Sequence, residues 1–468
     1  MNITDLTTVV PSPRQLAWQQ TQYYGFIHFG INTMTDREWG FGNEPTTLFD
    51  PQKLDADKWV QQMKAGQMQG VILTCKHHDG FCLWPSTTTD YSVKTAPWKA
   101  GEGDVVKEVS QACQKYGLKF GIYLSPWDRH AQSYGSGQVY NDFYLAQLTE
   151  LLTNYGEIFS VWLDGANGEG PNGKKQQYDW ERINQVVRQL QPNAVISVCG
   201  PDVRWCGNEA GHTRTQEWSV VPVELQDLEK IAERSQQIDD GIFSRKITSG
   251  DEDLGSQKAL EHYHGELVWY PAEVNTSIRP GWFYHESEND QVRSAEELYQ
   301  IYVRSVGGNA TFLLNIPPKP DGEFHEKDLD VLQELGAKIA QVKDQTMMKG
   351  GHLSYSSAST PVTLSDLLRE DGKVWQSQPD DVKPMIQVEW AKEQVIQRVI
   401  LQEDIRQSQR IEAFTLYYYD EQQWKPWGTG ASVGYQRIIE RPPVKTTGIR
   451  IVFNDYREYP TLNYLTIN

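Results

Sequence analysis

Short apolar runs alternate with longer amphipathic stretches through the first two-thirds of the chain. The runs are YGFIHF (23–28, continuing into Phe29), GVILTCK (70–76), KFGIYLS (119–125), SVWLDG (160–165), AVISVCG (194–200), LVWYPAEVN (267–275) and ATFLLNI (310–316). Several are β-rich on both faces, as strands are when neither face is left to water. Between them, LDADKWVQQMKAG (54–66), GDVVKEVSQACQKYG (103–117), YNDFYLAQLTELLTNYG (140–156) and WERINQVVRQLQP (180–192) carry apolar residues at helical spacing. Two of these end in Gly after an apolar and basic turn, as helix C-termini do. Repeated strand–helix–strand order predicts an α/β fold with a mostly parallel sheet. Seven strong strands and a weak one near 214–221 fit a (β/α)8-like barrel better than an open sheet. The helical stretch HEKDLDVLQELGAKIAQVKD (325–344) closes this region. Beyond it, PMIQVEW, QRVILQEDI, AFTLYYYD, QQWKPWG, TGIRIVFN and LNYLTIN alternate with turn signals, which predicts an antiparallel β-sandwich. The expected domains are a barrel over 1–345 and a sandwich over 346–468.

Composition narrows the function. With 44 Lys plus Arg against 62 Asp plus Glu, the formal net charge is −18. Nucleic-acid affinity comes largely from cations that displace counterions, so that class of partner is set aside. The chain has 16 Trp, 23 Tyr and 14 Phe, too many rings for a disordered protein. No window approaches the roughly 18 to 20 consecutive apolar residues of a spanning helix, so membrane insertion is not expected. The start, MNITDLTTVVPSPRQ, lacks the basic and apolar regions of a signal peptide. As it stands the chain is expected to be soluble; a periplasmic or secreted location requires a signal peptide removed ahead of it. Cys75, Cys82, Cys113, Cys199 and Cys206 are odd in number and confined to the first half. They are expected to pack as buried thiols rather than to form a disulfide framework.

Chemistry in a parallel barrel gathers at the C-terminal ends of its strands. Those ends are polar here: His28 after the first run, Lys76 to Asp79 after the second, Tyr123 to Asp128 at the third, Asp164 at the fourth, Arg204 to Glu209 after the fifth. Asp164 emerges from Val161-Trp162-Leu163 and is followed by Gly165, which admits close approach; it is either a reactive carboxylate or a cap for the next loop. Glu209, in RWCGNEAG, is either its partner or an exposed loop acid. Two carboxyls on neighbouring strand ends are what glycoside hydrolysis requires, one as nucleophile or base and one to protonate the leaving oxygen. Glu217, Glu266, Glu273 and Glu286 compete for the second role. His77 and His78 could pack, bind a hydroxylated substrate, or hold a metal with His28 or Asp79. Adjacent residues on a strand point to opposite faces, which argues against the metal, although residues leaving a strand need not alternate. His262 and His264 lack a third ligand nearby. Neither metal nor cofactor is expected.

FIHFGINT, REWGFG, LTCKHHDGFCLWPS, GIYLSPWDRH, VWLDGAN, GPDVRWCGNEAG and RPGWFYH, in this order over roughly 11–345, resemble the retaining α-L-fucosidases of glycoside hydrolase family 29. RWCGNEAG is similar to the subfamily that prefers branched α-1,3 and α-1,4 fucosides. The resemblance implies Asp164 as nucleophile and Glu209 as acid/base. It implies His28, His77 and His78 on fucose hydroxyls, Glu38, Trp39 and Tyr123 completing the polar wall, and Trp282 against the C6 methyl. A 6-deoxy sugar has an apolar face that a Trp can cover, which gives the last role a physical reason. Arg204 is left outside the site. The substrate implied is a fucosylated oligosaccharide or glycoconjugate. The C-terminal region resembles a galactose-binding-like sandwich, with docking on the barrel or sugar binding through Trp424 or Trp427 as its roles. A glycosidase for another sugar, such as a β-galactoside, and an inactive carbohydrate-binding protein remain alternatives.

Overall fold

The computed structural model describes residues 3–228, 231, 241–246 and 253–468. Strands β1 (Tyr23–Ile27), β2 (Gly70–Lys76), β3 (Lys119–Leu124), β4 (Ser160–Leu163), β5 (Val195–Val198) and β6 (Arg204–Trp205) follow one another around the first part of the barrel. After β7 (Val220–Pro222) and β8 (Leu267–Trp269), strands β9 (Ala272–Ser277) and β10 (Ala310–Asn315) complete it. The eight-stranded sheet runs β5-β4-β3-β2-β1-β10-β9-β6 and its pairs are parallel. A parallel bridge between Ser197 and Val203 joins the two ends, so the sheet closes. Together with the C-terminal antiparallel sheets, this is a (β/α)8 barrel followed by a β-sandwich.

Two strand expectations need correction. The weak candidate at 214–221 is not a barrel stave: β7 pairs antiparallel with β8 outside the barrel, and the eighth stave is the two-residue β6. The run LVWYPAEVN is not one strand, because Tyr270-Pro271 separates β8 from β9; a Pro lacks the N–H that an uninterrupted ladder needs.

The helices begin where short acceptor side chains cap them. Asp55, Asp104, Asp179 and Ser294 accept from the backbone N–H of Lys58, Lys107, Arg182 and Glu297, opening the helices Ala56–Ala65, Val105–Tyr116, Trp180–Leu190 and Ala295–Ser305. Gly117 ends the second of these at φ 72°, a conformation a Cβ disfavours. Each helix lays an apolar face on the sheet. On the sheet side, Val71, Ile72 and Leu73 of β2 are wholly buried. Burial of each side chain contributes roughly 1.5 to 3 kcal/mol, and Ile72→Ala would cost about 2 to 5 kcal/mol.

The sandwich is built on two long strands, Met385–Gln402 and Arg437–Tyr456. The first absorbs two of the short strands read from the sequence, with register shifts after Glu389 and Ile396. Ile400 of the first and Ile438 of the second pack into the barrel's own core. Trp424 is covered by the Arg450 guanidinium, 4.1 Å from its ring centre, and Trp427 donates to the Pro442 carbonyl at 3.2 Å. The five cysteines are buried and unbridged. Among the described residues, no helix is long and apolar enough to cross a membrane.

Candidate active site

Strand alternation sets the floor of the site. Residues two apart share a face, so Trp162 and Asp164 of the β4 end, Phe26 and His28 of the β1 end, and Glu273 and Asn275 of β9 point the same way. The lowest layer holds Glu273, which accepts from Trp162 Nε1 at 2.7 Å and Tyr24 Oη at 2.5 Å. Burial pushes its carboxyl up to about 7. One layer higher, a single cavity is lined by His28, Glu38, Trp39, His77, His78, Tyr123, Asp164, Glu209 and Trp282. Nine residues singled out from the sequence thus meet in one place. Phe26, Trp162, Ala166, Phe243 and Asn275 also line it.

Asp164 Oδ2 accepts from the Tyr123 hydroxyl at 2.8 Å, and its Oδ1 accepts from the Ala166 N–H at 2.9 Å. It therefore caps its own loop while facing the cavity; the two readings of this residue are compatible. Glu209 receives one long bond, from Trp282 Nε1 at 3.4 Å. Burial raises its carboxyl to about 8, and the nearby Asp164 charge adds to the effect. A group in this state holds a proton at neutral pH.

The histidines are held neutral and oriented. Asn315 Nδ2 donates to the Trp282 carbonyl at 2.7 Å and to Ser277 Oγ at 2.9 Å, which turns Asn315 Oδ1 toward His28 Nδ1 at 2.8 Å. The Nδ1 proton is thereby fixed and Nε2 is left as an acceptor. Ser125 spends its one hydroxyl proton on the Trp127 carbonyl at 2.7 Å, so His78 Nδ1, at 2.7 Å from Ser125 Oγ, must donate. Burial lowers His28 to about 3 and His78 to about 4, and takes His77 well below its ordinary value. Contrary to the alternation argument, the His77 and His78 rings lie side by side, centroids 4.1 Å apart. β2 ends at Lys76, so both residues have left the pleat. Among the described residues, no group of three or more His, Cys, Asp or Glu side chains is placed to hold a metal ion.

Glu38 enters from the segment after β1. Its carboxylate accepts from the Trp282 and Phe283 N–H groups, each at 3.0 Å. Trp39 stacks on Phe243 at 6.1 Å and meets His78 edge-on at 5.8 Å. The competing acids lie elsewhere. Glu217 is buried against Arg204 at 2.6 Å, Glu273 is under the floor, and Glu266 and Glu286 are exposed. His262 and His264 are exposed as well. Phe26 and Trp162 follow from period-two alternation with His28 and Asp164; Phe243 follows from no pattern, because its segment has no strand or helix periodicity.

Residues 14–342 match the family model described as alpha-L-fucosidase. The chain belongs to the alpha-L-fucosidase family. It is a glycoside hydrolase. It is 39% identical to alpha-L-fucosidase 1 of Arabidopsis thaliana over 467 residues, 97% of this chain and 87% of that one. A crystal structure of an α-L-fucosidase assigned in Bacteroides ovatus is 43% identical, with TM-score 0.85 over 100% of this chain and 76% of that one. The Ruminococcus gnavus family 29 fucosidase in complex with fucose is 28% identical, with TM-score 0.83 over 98% of this chain and 94% of that one.

Proposed function

We propose that this fucosidase releases terminal α-L-fucose from fucosylated oligosaccharides or glycans with retention, acting on α-1,3 and α-1,4 linkages. The observation that carries the reading is the unequal pair in one cavity: Glu209 raised to about 8 beside Asp164, which the Tyr123 hydroxyl holds at 2.8 Å. In the first step Asp164 attacks the anomeric carbon, the bond from that carbon to the glycosidic oxygen breaks, and Glu209 gives its proton to the departing oxygen. In the second, Glu209 takes a proton from water, the water oxygen bonds to the anomeric carbon, and Asp164 leaves. The pocket wall supports the choice of sugar. His28, His77 and His78 are neutral and bond hydroxyls, Glu38, Trp39 and Tyr123 complete the polar wall, and Trp282 covers the C6 methyl. The linkage preference rests on the likeness of RWCGNEAG to the α-1,3/1,4 subfamily, and the sugar is supported by the fucose-bound relative.

A panel of nitrophenyl glycosides and fucosylated trisaccharides, followed by anomer-resolved NMR, tests this. Release of α-L-fucose as the first-formed anomer, from α-1,3 and α-1,4 but not α-1,2 trisaccharides, is expected. β-L-fucose first would overturn retention, and turnover of a β-galactoside alone, or of nothing, would overturn the substrate.

A further inference from the structure

Glu38 is tied from three directions, and one tie comes from a side chain outside the cavity lining. His285 Nε2 lies 2.8 Å from Glu38 Oε1, and His285 Nδ1 lies 2.6 Å from Asp36 Oδ1. Both ring nitrogens therefore face carboxylates. Burial works against a charge on this ring, but the bonds to Glu38 and Asp36 outweigh it and raise His285 to about 9. The same Oε1 also accepts from the Phe283 N–H at 3.0 Å, and Oε2 accepts from the Trp282 N–H at 3.0 Å. A carboxylate offers about four lone-pair directions, so these three donors leave one, on Oε2. Gly281 packs closely against this pair: a Cβ there would stand 2.4 Å from Glu38 Oε1 and 3.1 Å from the His285 ring. Other charges around the ring are Glu288, which accepts from the Gly281 N–H at 3.1 Å, and Arg279, whose Nη1 donates to the His285 carbonyl at 3.4 Å.

We propose that His285, clamped between Asp36 and Glu38, is a positioning residue for sugar binding. It fixes Glu38 so that one lone pair of Oε2 meets one sugar hydroxyl, and it locks the Trp282 segment to the facing wall. The loop after β1 and the RPGWFYH segment are joined through this contact, so the hydroxyl-binding and methyl-covering sides of the pocket keep a fixed spacing. The inference rests on the fucosidase reading above.

The test measures the Kd of L-fucose by calorimetry, with kcat and KM on an aryl α-L-fucoside, for five variants, Glu38→Ala among them. His285→Phe keeps a ring and loses both donors; it should raise the Kd and KM by about tenfold or more, the loss of one charge-assisted hydrogen bond, with kcat changed far less. His285→Gln keeps a donor toward Glu38 and should recover to within about threefold of wild type. Asp36→Asn, at a side chain 75% exposed, leaves folding unaffected and should raise the Kd by about two- to threefold. In a Glu38→Ala background, His285→Phe should have no further effect, because the partner is gone. Fucose binding by His285→Phe within about twofold of wild type overturns the inference, as do equal losses in the Phe and Gln variants or full additivity with Glu38→Ala. Wild-type protein that binds no L-fucose would instead sink the fucosidase reading and this inference with it.

Discussion

Replacing Glu209 by Ala tests the proposed proton-transfer role apart from everything else the pocket does. With its carboxyl raised to about 8, roughly nine-tenths of Glu209 carries a proton at pH 7. A carboxyl at its ordinary value of 4.5 would carry one in about 0.3% of molecules, so the environment enriches the acid form about 300-fold. The sign follows directly. In the proposed mechanism the free enzyme acts with Glu209 protonated, so kcat/KM on a fucosylated trisaccharide should be flat from about pH 5 to about pH 8 and fall about tenfold per unit above it. Glu209→Ala should lose about 10² to 10⁴ in rate on that substrate, because a sugar alkoxide leaves poorly without a proton. A dinitrophenyl fucoside needs no proton to depart, so its first step should be nearly unaffected and the basic limb should vanish. Azide should then attack the glycosyl-enzyme from the face the aglycone left, release Asp164, speed turnover and yield α-fucosyl azide. The assays are stopped-flow and steady-state kinetics from pH 5 to about 9.5 on both substrates, with NMR of the azide product. A trisaccharide rate within about tenfold of wild type, or a basic limb that survives in Glu209→Ala, would refute the assignment.

Asp164→Asn should abolish turnover of every α-L-fucoside by about four orders of magnitude or more while the melting temperature holds; a variant keeping a tenth of kcat removes Asp164 from the mechanism. His28→Ala, His77→Ala and His78→Ala should each lower kcat/KM by the equivalent of about 1 to 3 kcal/mol, with chelators and elemental analysis showing no change. Because burial holds His28 at about 3 and His78 at about 4, their protonation should not limit activity until the pH falls to about 4; an acidic limb near 6.5 that moves with these variants would contradict their neutrality. Trp282→Ala should cut discrimination between α-L-fucosides and α-L-galactosides by about 10- to 100-fold, read from the ratio of kcat/KM values, since the methyl loses its cover; an unchanged ratio would place the methyl elsewhere.

Seven barrel strands were legible because a stave covered on both faces is an unbroken apolar run. The eighth was not, for a definite reason. β6 is two residues, Arg204 and Trp205, and its Arg is there to reach Glu217 rather than to fill a core. The strand at 214–221 looked better by pattern and sits outside the barrel. The site was legible at strand ends, where polar residues interrupt apolar runs, as at His28, Asp164 and Glu209. What escaped were the partners that give these groups their states. His28 depends on Asn315, 287 positions away, and Glu38 depends on His285, 247 positions away. No local periodicity encodes a pairing over that span; only the closed sheet brings such residues together.

The two carboxyls stand on different supports. Asp164 directly follows a barrel strand, with a donor on each oxygen from Tyr123 and Ala166. Glu209 stands on a loop, with a donor from Trp282 Nε1 at 3.4 Å and low-dielectric surroundings, so burial raises its carboxyl and keeps its proton on at neutral pH. Such an assignment holds only if the loop cannot drift toward water, and the loop is braced. Asn208 Oδ1 accepts from the Ala210 and His212 N–H groups, each at 3.0 Å, and Arg214 Nη1 donates to the Cys206 carbonyl at 3.1 Å. Arg214 and Arg204 both converge on the buried Glu217 carboxylate. The Glu217 carbonyl in turn accepts from Asn309 Nδ2 of the barrel at 2.9 Å and from Gln409 Nε2 of the sandwich at 3.3 Å. Gln409 also takes the Ser219 N–H at 2.9 Å. The sandwich thus contributes to the acid loop through a chain of buried hydrogen bonds. Buried hydrogen bonds therefore run from the segment that follows Glu209 to the sandwich, none of whose residues lines the cavity.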